Sequence, residues 1–434
     1  MHKLKEVEII GFWGQHRIST SFHDDVNIFI GKNGTGKTTF MKLMQAVLSA
    51  DLEELSNLQF ESIILKIAKN GRSKKIQVHK NPDELLEYKS ITYQISRTKF
   101  HFPILSRDNH YNKYRNTRIH PKLQRDIDQL KEEMSQLVGL SFLSVNREDN
   151  IDSDEYRDRS RRESMVNSVD FKLMKLMNDF TTYQLQLESE IGNLSSKFQK
   201  DVLRSMLFNP DFDNVPINKK IDLSVEAIDE LKTKLQGAYR DLGILDKKIL
   251  DGINQHIESI SKAVEAINKS VEDPKNSSIY ANHVTPLTLL RRTRKIISLS
   301  TKLQEDKLKV YKPINDYLNL LKSFIEGKTF ATSNKNQGGL IVHKAKEAFP
   351  INQLSSGEKQ LIILLTETLL QKQALTIFLA DEPELSLHIS WQRQILPSLN
   401  ELNPNAQIIV ATHSPEIVGK WAANAINMEN IIYE

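Results

Sequence analysis

The sequence predicts an α/β protein in which a mixed sheet with an antiparallel β subdomain is interrupted by an inserted α-helical hairpin or short coiled-coil arm. Three observations support this fold class. Short apolar runs lie near both ends of the 434-residue chain, apolar and polar residues alternate through 61–98, and long apolar stripes of helical spacing fill the middle. We therefore expect two lobes of one domain, residues 1–150 and 329–434, separated by a helical insertion at 151–328.

Composition restricts the class of protein before any motif is considered. The formal net charge is only +4, which is not the charge of a general nucleic-acid-coating protein. The chain has no cysteine, which excludes disulfides and thiolate metal sites and suits a reducing cytosol. The N-terminus lacks the apolar core of a signal peptide, and no window approaches the roughly 20 apolar residues of a membrane span. We expect a cytoplasmic protein with no membrane partner.

Strand-like segments come first along the chain. Residues 4–30 alternate between apolar and polar and break at Gly11–Gln15 and His23–Asp25, which predicts two strands followed by a third. Three further runs, SIILKIA, KKIQVH and SITYQI, are separated by the turn signals Asn70-Gly71 and Asn81-Pro82. These runs predict an antiparallel meander beside the core of the domain.

The middle of the chain has a helical pattern. Apolar residues recur every three or four positions from Phe171 to Phe198 and from Ile228 to Val264, which predicts two helices of roughly 40 residues. The linker NPDFDNVPINK (209–219) suits a hairpin tip, and a third helical stretch covers Leu287–Phe324. An ordinary helical bundle and a short protruding coiled-coil arm explain these stripes equally well, because neither stripe keeps a strict 3.5-residue repeat.

A glycine-rich loop joins the third predicted strand to a predicted helix. Its sequence, GKNGTGKTT, has the spacing G-x-x-x-x-G-K-[ST] of the phosphate-binding P-loop. The glycines let backbone N–H groups point at an anion, Lys37 adds a positive charge, and the Thr38 hydroxyl can ligate Mg²⁺. A purely structural turn needs neither the lysine nor the threonine. We predict that the loop binds a nucleotide with Mg²⁺ through Gly31, Lys32, Asn33, Gly34, Thr35, Gly36, Lys37, Thr38 and Thr39.

Two carboxylates end a continuous apolar run late in the chain. The run ALTIFLADE (374–382) fits a parallel strand that is buried on both faces, and functional groups in open α/β sheets gather at the carboxyl ends of such strands. Asp381 can support the metal, and Glu382 can orient or deprotonate an attacking water. The alternative is a strand that ends in a solvated acidic turn, which a P-loop in the same chain disfavours.

Two more segments flank this strand. In the LSSGE segment (354–358), Ser355, Ser356, Gly357 and Glu358 lie at the start of a predicted helix, where amides and hydroxyls can meet an anion, although a simple capping box has the same pattern. Downstream, QIIVATHSP (407–415) is another apolar strand that ends near His413. A lone histidine is more often structural, but here it follows a strand that we expect in the same sheet, near a γ-phosphate.

These motifs, in this order, resemble the P-loop head of the ATP-binding-cassette (ABC) ATPases. The sequence DEPELSLH (381–388) is similar to the branch that contains the RecF, SMC and overcoming-lysogenization-defect (OLD) proteins, and it departs from the DEPTSALD of transporters. The resemblance implies that two heads sandwich two ATP molecules, with Ser356 and Gly357 acting on the neighbour's P-loop. It also implies that Lys37, Glu382 and His413 are catalytic, and that Thr38 and Asp381 hold the metal.

Two parts of the family pattern have no clear counterpart. The expected place of the glutamine loop is FLSVNRE (142–148), where Asn146 or Arg147 are weak substitutes. For stacking on the adenine base, the candidates are Phe12 and Trp13. The middle of the chain is not covered by any motif of the family, and residues 386–388 would form the loop between the two nucleotide sites.

The resemblance also suggests a biological role. The chain ends about twenty residues beyond His413 and shows no nuclease motif, so we expect no cutting activity of its own. It looks like the ATPase subunits of two-gene anti-phage systems, PARIS or Septu, with PARIS slightly preferred for the modest size of the arm. We expect the chain to form at least a dimer, with a hexamer as the larger alternative. The other expected partners are a separate Toprim or HNH effector and a phage-encoded trigger.

The main rival is a DNA-maintenance ATPase of the RecF or SMC kind that clamps duplex DNA between its head and arm. Two basic clusters are relevant to it, although such clusters are usually solvated helix faces. One comprises Arg291, Arg292, Arg294 and Lys295, and the other comprises Arg157, Arg159, Arg161 and Arg162. A transporter ATPase is the third alternative and would require a membrane partner.

Overall fold

A computed structural model describes residues 1–81, 90–103, 121–144, 168–207, 225–272, 281–333, 339–345 and 347–433. Several predicted features lie outside these residues. They are the predicted hairpin tip at 209–219, the glutamine-loop substitutes Asn146 and Arg147, the basic cluster at 157–162, and most of the turn that begins at Asn81.

Most of the predicted strands are present in the structure. The strands are β1 (Lys3–Phe12), β2 (His16–Ser21), β3 (Val26–Ile30), β4 (Ser62–Lys69), β5 (Arg72–Asn81), β6 (Ser90–Ile95), β7 (Thr98–Pro103), β8 (Leu140–Ser144), β9 (Lys328–Thr332), β10 (Leu340–Lys344), β11 (Glu347–Phe349), β12 (Ile377–Asp381), β13 (Gln407–Ala411), β14 (Ala425–Asn427) and β15 (Ile432–Tyr433).

Helices connect these strands and occupy the middle of the chain. The α-helices are α1 (Lys37–Ser49), α2 (Leu52–Asn57), α3 (Pro121–Leu137), α4 (Ser168–Ser205), α5 (Val225–Asp241), α6 (Lys247–Glu272), α7 (Ala281–Phe324), α8 (Ser356–Leu370), α9 (Ile389–Leu402) and α10 (Pro415–Val418).

A five-stranded parallel sheet has the order β14-β3-β13-β12-β8. Its central strands β12 and β13 are buried along their whole length, which agrees with the apolar runs that predicted them. In the register of the sheet, Asp381 lies opposite Ala411 and Ser144, and Ala411 lies opposite Phe29. The carboxyl ends of β3, β12 and β13 therefore meet at one edge.

The second sheet is antiparallel, with the order β15-β2-β1-β4-β5-β6-β7. The turn signal Asn70-Gly71 joins β4 to β5 with φ angles of 49° and 76°, which suits a tight hairpin turn. The predicted antiparallel β subdomain is therefore confirmed as a sheet of its own. The prediction that the core sheet is mixed is wrong, because its described strands are all parallel and are joined through helical crossovers. A further antiparallel sheet of β9, β10 and β11 precedes the LSSGE segment.

Helix α1 lies in the main apolar core. Its residues Phe40, Met41 and Met44 are fully buried, and they belong to one cluster with residues of both large sheets, such as Ile63 and Ile409. The buried Tyr93 hydroxyl donates a hydrogen bond to a carbonyl oxygen of this helix. Helix α1, which follows the P-loop, is thus held in place because its apolar side chains are buried together with side chains of both large sheets.

The chain divides into two compact units, and the smaller one, Thr182–Asn315, is helical. The prediction of one long helix over 228–264 is wrong, because the structure has two helices, α5 and α6, with a break between them. Gly243 adopts a φ of 76° and donates its N–H to the Arg240 carbonyl at 2.9 Å, which ends α5. The Asp246 side chain then accepts a hydrogen bond from the Ile249 N–H at 2.7 Å and caps α6.

The larger unit comprises Met1–Thr181 and Asp316–Glu434. The domain boundaries predicted near 150 and 328 remain predictions, and the helical unit found here begins and ends inside them. Among the helices of the described residues, none combines the length and apolar character that crossing a bilayer requires.

Candidate functional site

The P-loop connects β3 to α1, and its shape depends on glycine at Gly36. This residue has a φ of 88°, in the left-handed region, and caps the N-terminus of α1. A Cβ atom at this position would lie 2.8 Å from the ring of Phe12. Phe12 is fully buried in the main apolar core, so the suggestion that Phe12 stacks on adenine is wrong.

Lys37 lies at the start of α1 with its side chain folded back into the loop. Its Nζ donates hydrogen bonds to the carbonyl oxygens of Gly31 at 2.9 Å and Lys32 at 3.1 Å. Burial lowers the pKa of Lys37, while the nearby Glu382 and Asp381 act to raise it. The loop therefore holds a cation whose bonds to backbone carbonyls can be exchanged for bonds to an anion.

Asp381 ends β12 next to the first turn of α1. Burial raises the pKa of the Asp381 carboxyl, whereas a hydrogen bond from the Thr38 hydroxyl acts to lower it. Its Oδ1 atom is buried and has no hydrogen-bond partner within the described residues. A hydroxyl and an orphaned carboxylate oxygen side by side fit a Mg²⁺ ion that takes its remaining ligands from phosphate and water.

Glu382 and His413 face each other across the carboxyl ends of β12 and β13. The distance from His413 Nε2 to Glu382 Oε1 is 3.7 Å, and both side chains are about one third exposed. Glu382 has a φ of 48°, which is unusual for a residue with a side chain, and its N–H donates to the Ala411 carbonyl at 2.8 Å. The backbone bond to β13 thus holds Glu382 in a strained conformation beside the histidine.

A pocket of about 570 Å³ lies over these groups. Of the residues predicted for ATP binding and catalysis, the structure brings eight to its wall: Asn33, Gly34, Gly36, Lys37, Thr38, Thr39, Glu382 and His413. Trp13 also lines it, which leaves this residue as the candidate for adenine stacking. Gly31 and Lys32 do not line this pocket, but their carbonyl oxygens accept the hydrogen bonds of Lys37, and the Thr35 hydroxyl donates to the Lys32 carbonyl at 2.9 Å.

Sequence reasoning missed Glu384. Its Oε1 atom accepts hydrogen bonds from the Thr412 hydroxyl, from the N–H of His413 at 2.9 Å and from the N–H of Ser414 at 3.2 Å. The side chain is 9% exposed, so this buried carboxylate ties the loop after β12 to the loop after β13. The only signal in the sequence is a second acidic residue after Asp381-Glu382, in the string DEPE.

The LSSGE segment begins α8. Ser355 and Glu358 form a reciprocal capping box, in which Ser355 N–H donates to Glu358 Oε2 at 2.9 Å and Glu358 N–H donates to Ser355 Oγ at 3.3 Å. Lys328 also forms a hydrogen-bonded ion pair with Glu358. A Cβ atom on Gly357 would lie 2.4 Å from the Ser386 carbonyl oxygen, so glycine is required for this contact.

The structure does not bring the LSSGE segment to the pocket of its own chain. None of Ser355, Ser356, Gly357 and Glu358 is among the described residues that line it. The capping box accounts for the local roles of Ser355 and Glu358. Ser356 is exposed and has no role in the cap.

Solved structures of SMC heads show a weak overall likeness to the chain. The Smc head domain with an extended coiled coil bound to the C-terminal domain of ScpA, from Pyrococcus furiosus, is 13% identical, with a TM-score of 0.47 over 99% of this chain and 94% of that one. A structure of the SmcHead bound to the C-winged helix domain of ScpA is also 13% identical, with a TM-score of 0.45 over 97% and 92% of the two chains.

The curated relatives that match part of the chain include two retron ATPases. The Retron Ec83 probable ATPase of Escherichia coli is 32% identical over 148 residues, which are 30% of this chain and 26% of that protein. The Retron Vc95 probable ATPase of Vibrio cholerae serotype O1 biovar El Tor is 32% identical over 102 residues, which are 21% of this chain and 20% of that protein. The match therefore spans about a quarter or a fifth of the length of each relative.

A family model covers almost the whole chain. The model for the AAA ATPase domain (AAA_15) matches residues 2–418, which include the P-loop, the LSSGE segment, Asp381 and His413. The match includes every residue that lines the pocket. The chain therefore belongs to the AAA ATPase domain family, and its matched domain is an ATPase.

Proposed function

We propose that the protein binds ATP with Mg²⁺ in the pocket beside the P-loop and hydrolyses it there. The observation that carries this proposal is that Lys37, Glu382 and His413 line one cavity, although more than 300 residues separate Lys37 from the other two. Asp381 lies beside them, hydrogen-bonded to the Thr38 hydroxyl on the wall of the same cavity. The family match supports the same reaction. An adenine base would stack on Trp13, which lies on the wall of the pocket.

Each residue of the site has a task that its position suggests. The P-loop N–H groups and Lys37 orient the triphosphate, with Lys37 exchanging its two carbonyl partners for phosphate oxygens. Thr38 and Asp381 would hold Mg²⁺, which supplies positive charge to the phosphates when it is bound. Glu382 orients a water molecule and accepts its proton, and His413 donates a hydrogen bond toward the γ-phosphate from the other side.

A second copy of the chain completes the site in this proposal. The pocket is open, and the LSSGE segment that would close it lies elsewhere in the same chain. The exposed Ser356 at the start of α8 can present its hydroxyl and the helix N-terminus to the γ-phosphate bound by a partner. ATP would then act as the link between two heads, in a dimer or a larger ring.

Two substitutions test the chemistry. Lys37→Ala should abolish ATP binding in a fluorescent-nucleotide titration. Glu382→Gln should leave the Kd within a few-fold and lower kcat by about 10²–10⁴-fold, because it removes only the base. Glu401→Gln, at an exposed carboxylate of α9, is the matched control and should behave as the unmodified protein. Normal turnover in Glu382→Gln would mean that the base has been misassigned.

Light scattering tests the second copy. In Glu382→Gln, ATP should accumulate as a bound species and raise the molecular mass at least twofold. Adding Ser356→Arg should prevent this increase, because the arginine would block the contact between α8 and the γ-phosphate of the ATP bound by the partner. ATP should still bind to the P-loop of the same chain. If the mass is the same with and without ATP in both proteins, the shared site is wrong and the simple ATP-binding proposal still stands.

We further propose that ATP-dependent assembly controls a separate Toprim or HNH effector in anti-phage defence, in response to a phage trigger. Two relatives are named as probable retron ATPases, and retrons are defence-related. These names support a defence role but do not identify the effector or the trigger. The OLD-like motifs support it as well. Co-purification with the products of neighbouring genes and a plaque assay with Lys37→Ala would test it. A protein that captures no such product and restricts no phage would rule it out.

The DNA-clamp rival receives no specific support from its basic cluster on α7. Arg291 and Arg292 both have interaction partners, and Arg292 donates a hydrogen bond to the Met206 carbonyl at 3.2 Å. The rival would still be favoured if neutralising Arg291, Arg292, Arg294 and Lys295 removed salt-dependent DNA binding by the whole chain.

A further inference from the structure

One edge of the antiparallel sheet concentrates positive charge. Residues 62–81 and 90–103, which form β4 to β7 and two hairpin turns, contain eight Lys and Arg and no Asp or Glu. The whole chain has a formal net charge of only +4. The remainder of the protein is therefore acidic overall, and these strands form a separate electrostatic region.

Strand pairing brings five of these cations to one end of the sheet. The β4–β5 turn and the β6–β7 turn lie side by side, because Ser96 N–H donates to the Lys75 carbonyl at 2.8 Å. Lys75 and Lys99 lie on the outer face, away from the buried Ile76 and Phe100. We call the following exposed residues the basic edge: Arg72, Lys74, Lys75, Arg97 and Lys99.

Among the described residues the basic edge has no acidic partner, whereas lysines of the neighbouring strands are paired. Lys66 on β4 pairs with Glu6 at 2.8 Å, and Lys5 on β1 pairs with Asp24. Within the described part of the chain, no residue of the basic edge forms an ion pair. Five exposed cations on neighbouring strands repel each other, and that repulsion is relieved when an anion binds.

The side chains beside the basic edge indicate which kind of polyanion can bind there. Gln77, Thr92, Gln94 and His101 cover the outer face with hydrogen-bonding groups, and His101 Nδ1 lies 3.0 Å from the Thr92 hydroxyl. The aromatic residues of β6 and β7, namely Tyr93, Phe100 and Phe102, all point into the core.

Two partner types fit this surface poorly. A protein interface usually has an aromatic or apolar centre, and single-stranded nucleic acid is usually held by exposed aromatic stacking platforms. The described outer face of β5 to β7 has neither. Cations accompanied by amides, hydroxyls and imidazole are the groups that contact phosphates and sugars along a duplex.

We propose that the basic edge binds the phosphate backbone of a nucleic-acid duplex without regard to base sequence. The surface is separate from the residues of the pocket, so the proposal does not depend on the assignment of ATP hydrolysis. It places the contact on the sheet, whereas the DNA-clamp rival uses the arginine cluster of α7. Both DNA and RNA duplexes present the same phosphate chemistry, and the experiment distinguishes them.

The test uses the full chain with the five residues of the basic edge changed to Gln. Its matched control carries five exposed lysines changed to Gln elsewhere, so that both variants lose the same charge: Lys197, Lys200, Lys247, Lys248 and Lys302. Fluorescence anisotropy measures binding to labelled duplex DNA and duplex RNA over a range of salt concentrations. Nucleotide binding by each variant serves as the check on folding.

The unmodified protein and the control should bind duplex with a Kd that rises steeply with salt. The basic-edge variant should bind at least about tenfold more weakly at roughly 0.1 M salt, and its salt slope should fall by about 0.9 for each phosphate that the protein no longer neutralises. A preference for DNA or RNA identifies the source of the duplex. Equal weakening in both variants, no duplex binding, or stronger binding to polyglutamate or anionic lipid vesicles would overturn the proposal.

Discussion

At the scale of single residues, the site depends on a carboxylate that is not itself expected to touch ATP. Glu384 accepts three hydrogen bonds from Thr412, His413 and Ser414 through one oxygen atom. Two of these donors are backbone N–H groups on either side of the His413 side chain, so Glu384 determines where the histidine lies. We regard Glu384 as a positioning residue for the proposed hydrolysis.

We predict that Glu384→Gln lowers kcat for ATP by roughly tenfold while KM and the Kd for ATP change by less than about threefold. The substitution replaces the carboxylate that accepts the three hydrogen bonds by a neutral amide. Hydrogen bonds to a charged group contribute about 1.5–3 kcal/mol, and the neutral amide forms weaker ones. Steady-state kinetics and a nucleotide titration measure the two effects. Thr412→Val, which removes one donor only, should give a smaller reduction of kcat, and equal effects on KM and kcat would contradict the positioning role.

At the scale of secondary-structure elements, the N-terminus of α8 is determined by contacts on both sides. The capping box satisfies the first amides of the helix, and Gly357 allows the loop at Ser386 to approach. Ser386 has a φ of 67°, so this loop is itself in an unusual conformation. The LSSGE segment and the loop after β12 are therefore packed together in one chain before any partner binds.

Gly357→Ala should reduce the free energy of unfolding by about 1–3 kcal/mol, because a methyl group placed 2.4 Å from the Ser386 carbonyl forces the loop to move. Urea denaturation measures the reduction. Gly252→Ala in α6 is the control, since nothing lies within 4 Å of its added methyl group. That change should stabilise the protein by about 0.5–1 kcal/mol, as Ala is the better helix former. Equal stability of the two variants would show that the contact at Ser386 is absent.

The ion pair of Glu358 predicts a pH dependence. Burial acts to raise the pKa of Glu358, but the hydrogen bonds from Lys328 and Ser355 outweigh it and hold the pKa below its ordinary value of 4.5. A lowered folded-state pKa stabilises the fold above the unfolded-state pKa, and this stabilisation disappears as pH falls through the folded-state value.

Glu358→Gln should therefore be less stable than the unmodified protein at pH 7, by roughly 1 kcal/mol. The difference should shrink below about pH 4.5. Gln can still accept from Ser355 N–H, so the comparison isolates the charge. Thermal midpoints over a pH series provide the measurement, and a difference that stays constant with pH would contradict the assignment.

At the scale of the whole molecule, one unit contains both large sheets, the P-loop and the pocket, and α1 is part of their shared core. A ligand in that pocket stabilises every element around it, because it binds the folded chain and not the unfolded one. ATP binding should therefore be visible as a change in the stability of this unit.

We predict that ATP with Mg²⁺, at 100 times its Kd, stabilises Glu382→Gln by about 2.7 kcal/mol and raises the thermal midpoint. Chelating Mg²⁺ with EDTA should reduce the shift, since the phosphates would lose their counter-charge. Tryptophan fluorescence can follow the transition, as Trp13 lies on the wall of the pocket. Lys37→Ala is the control and should show no shift, and a shift of equal size in that variant would place the nucleotide elsewhere.

Local patterns in the sequence were sufficient for the parts of the fold that depend on neighbouring residues. The P-loop spacing, the buried strands β12 and β13, and the Asn70-Gly71 hairpin follow from glycine conformation and from periods of two or 3.6 residues. The break at Gly243 was also present in the sequence, as a glycine followed by the capping residue Asp246, but the continuous apolar stripe concealed it.

The sequence by itself therefore determined that this protein has a loop with P-loop spacing, an acidic strand end and a following histidine. Only the tertiary structure decided which of these residues share a cavity, because the parallel pairing of β3, β12 and β13 joins segments far apart in the chain. Burial of Phe12, the bonds of Glu384 and the clustering of Arg72 with Lys99 are likewise products of long-range packing. Periodicity describes a segment's own faces, and it carries no information about which distant segment will lie against them.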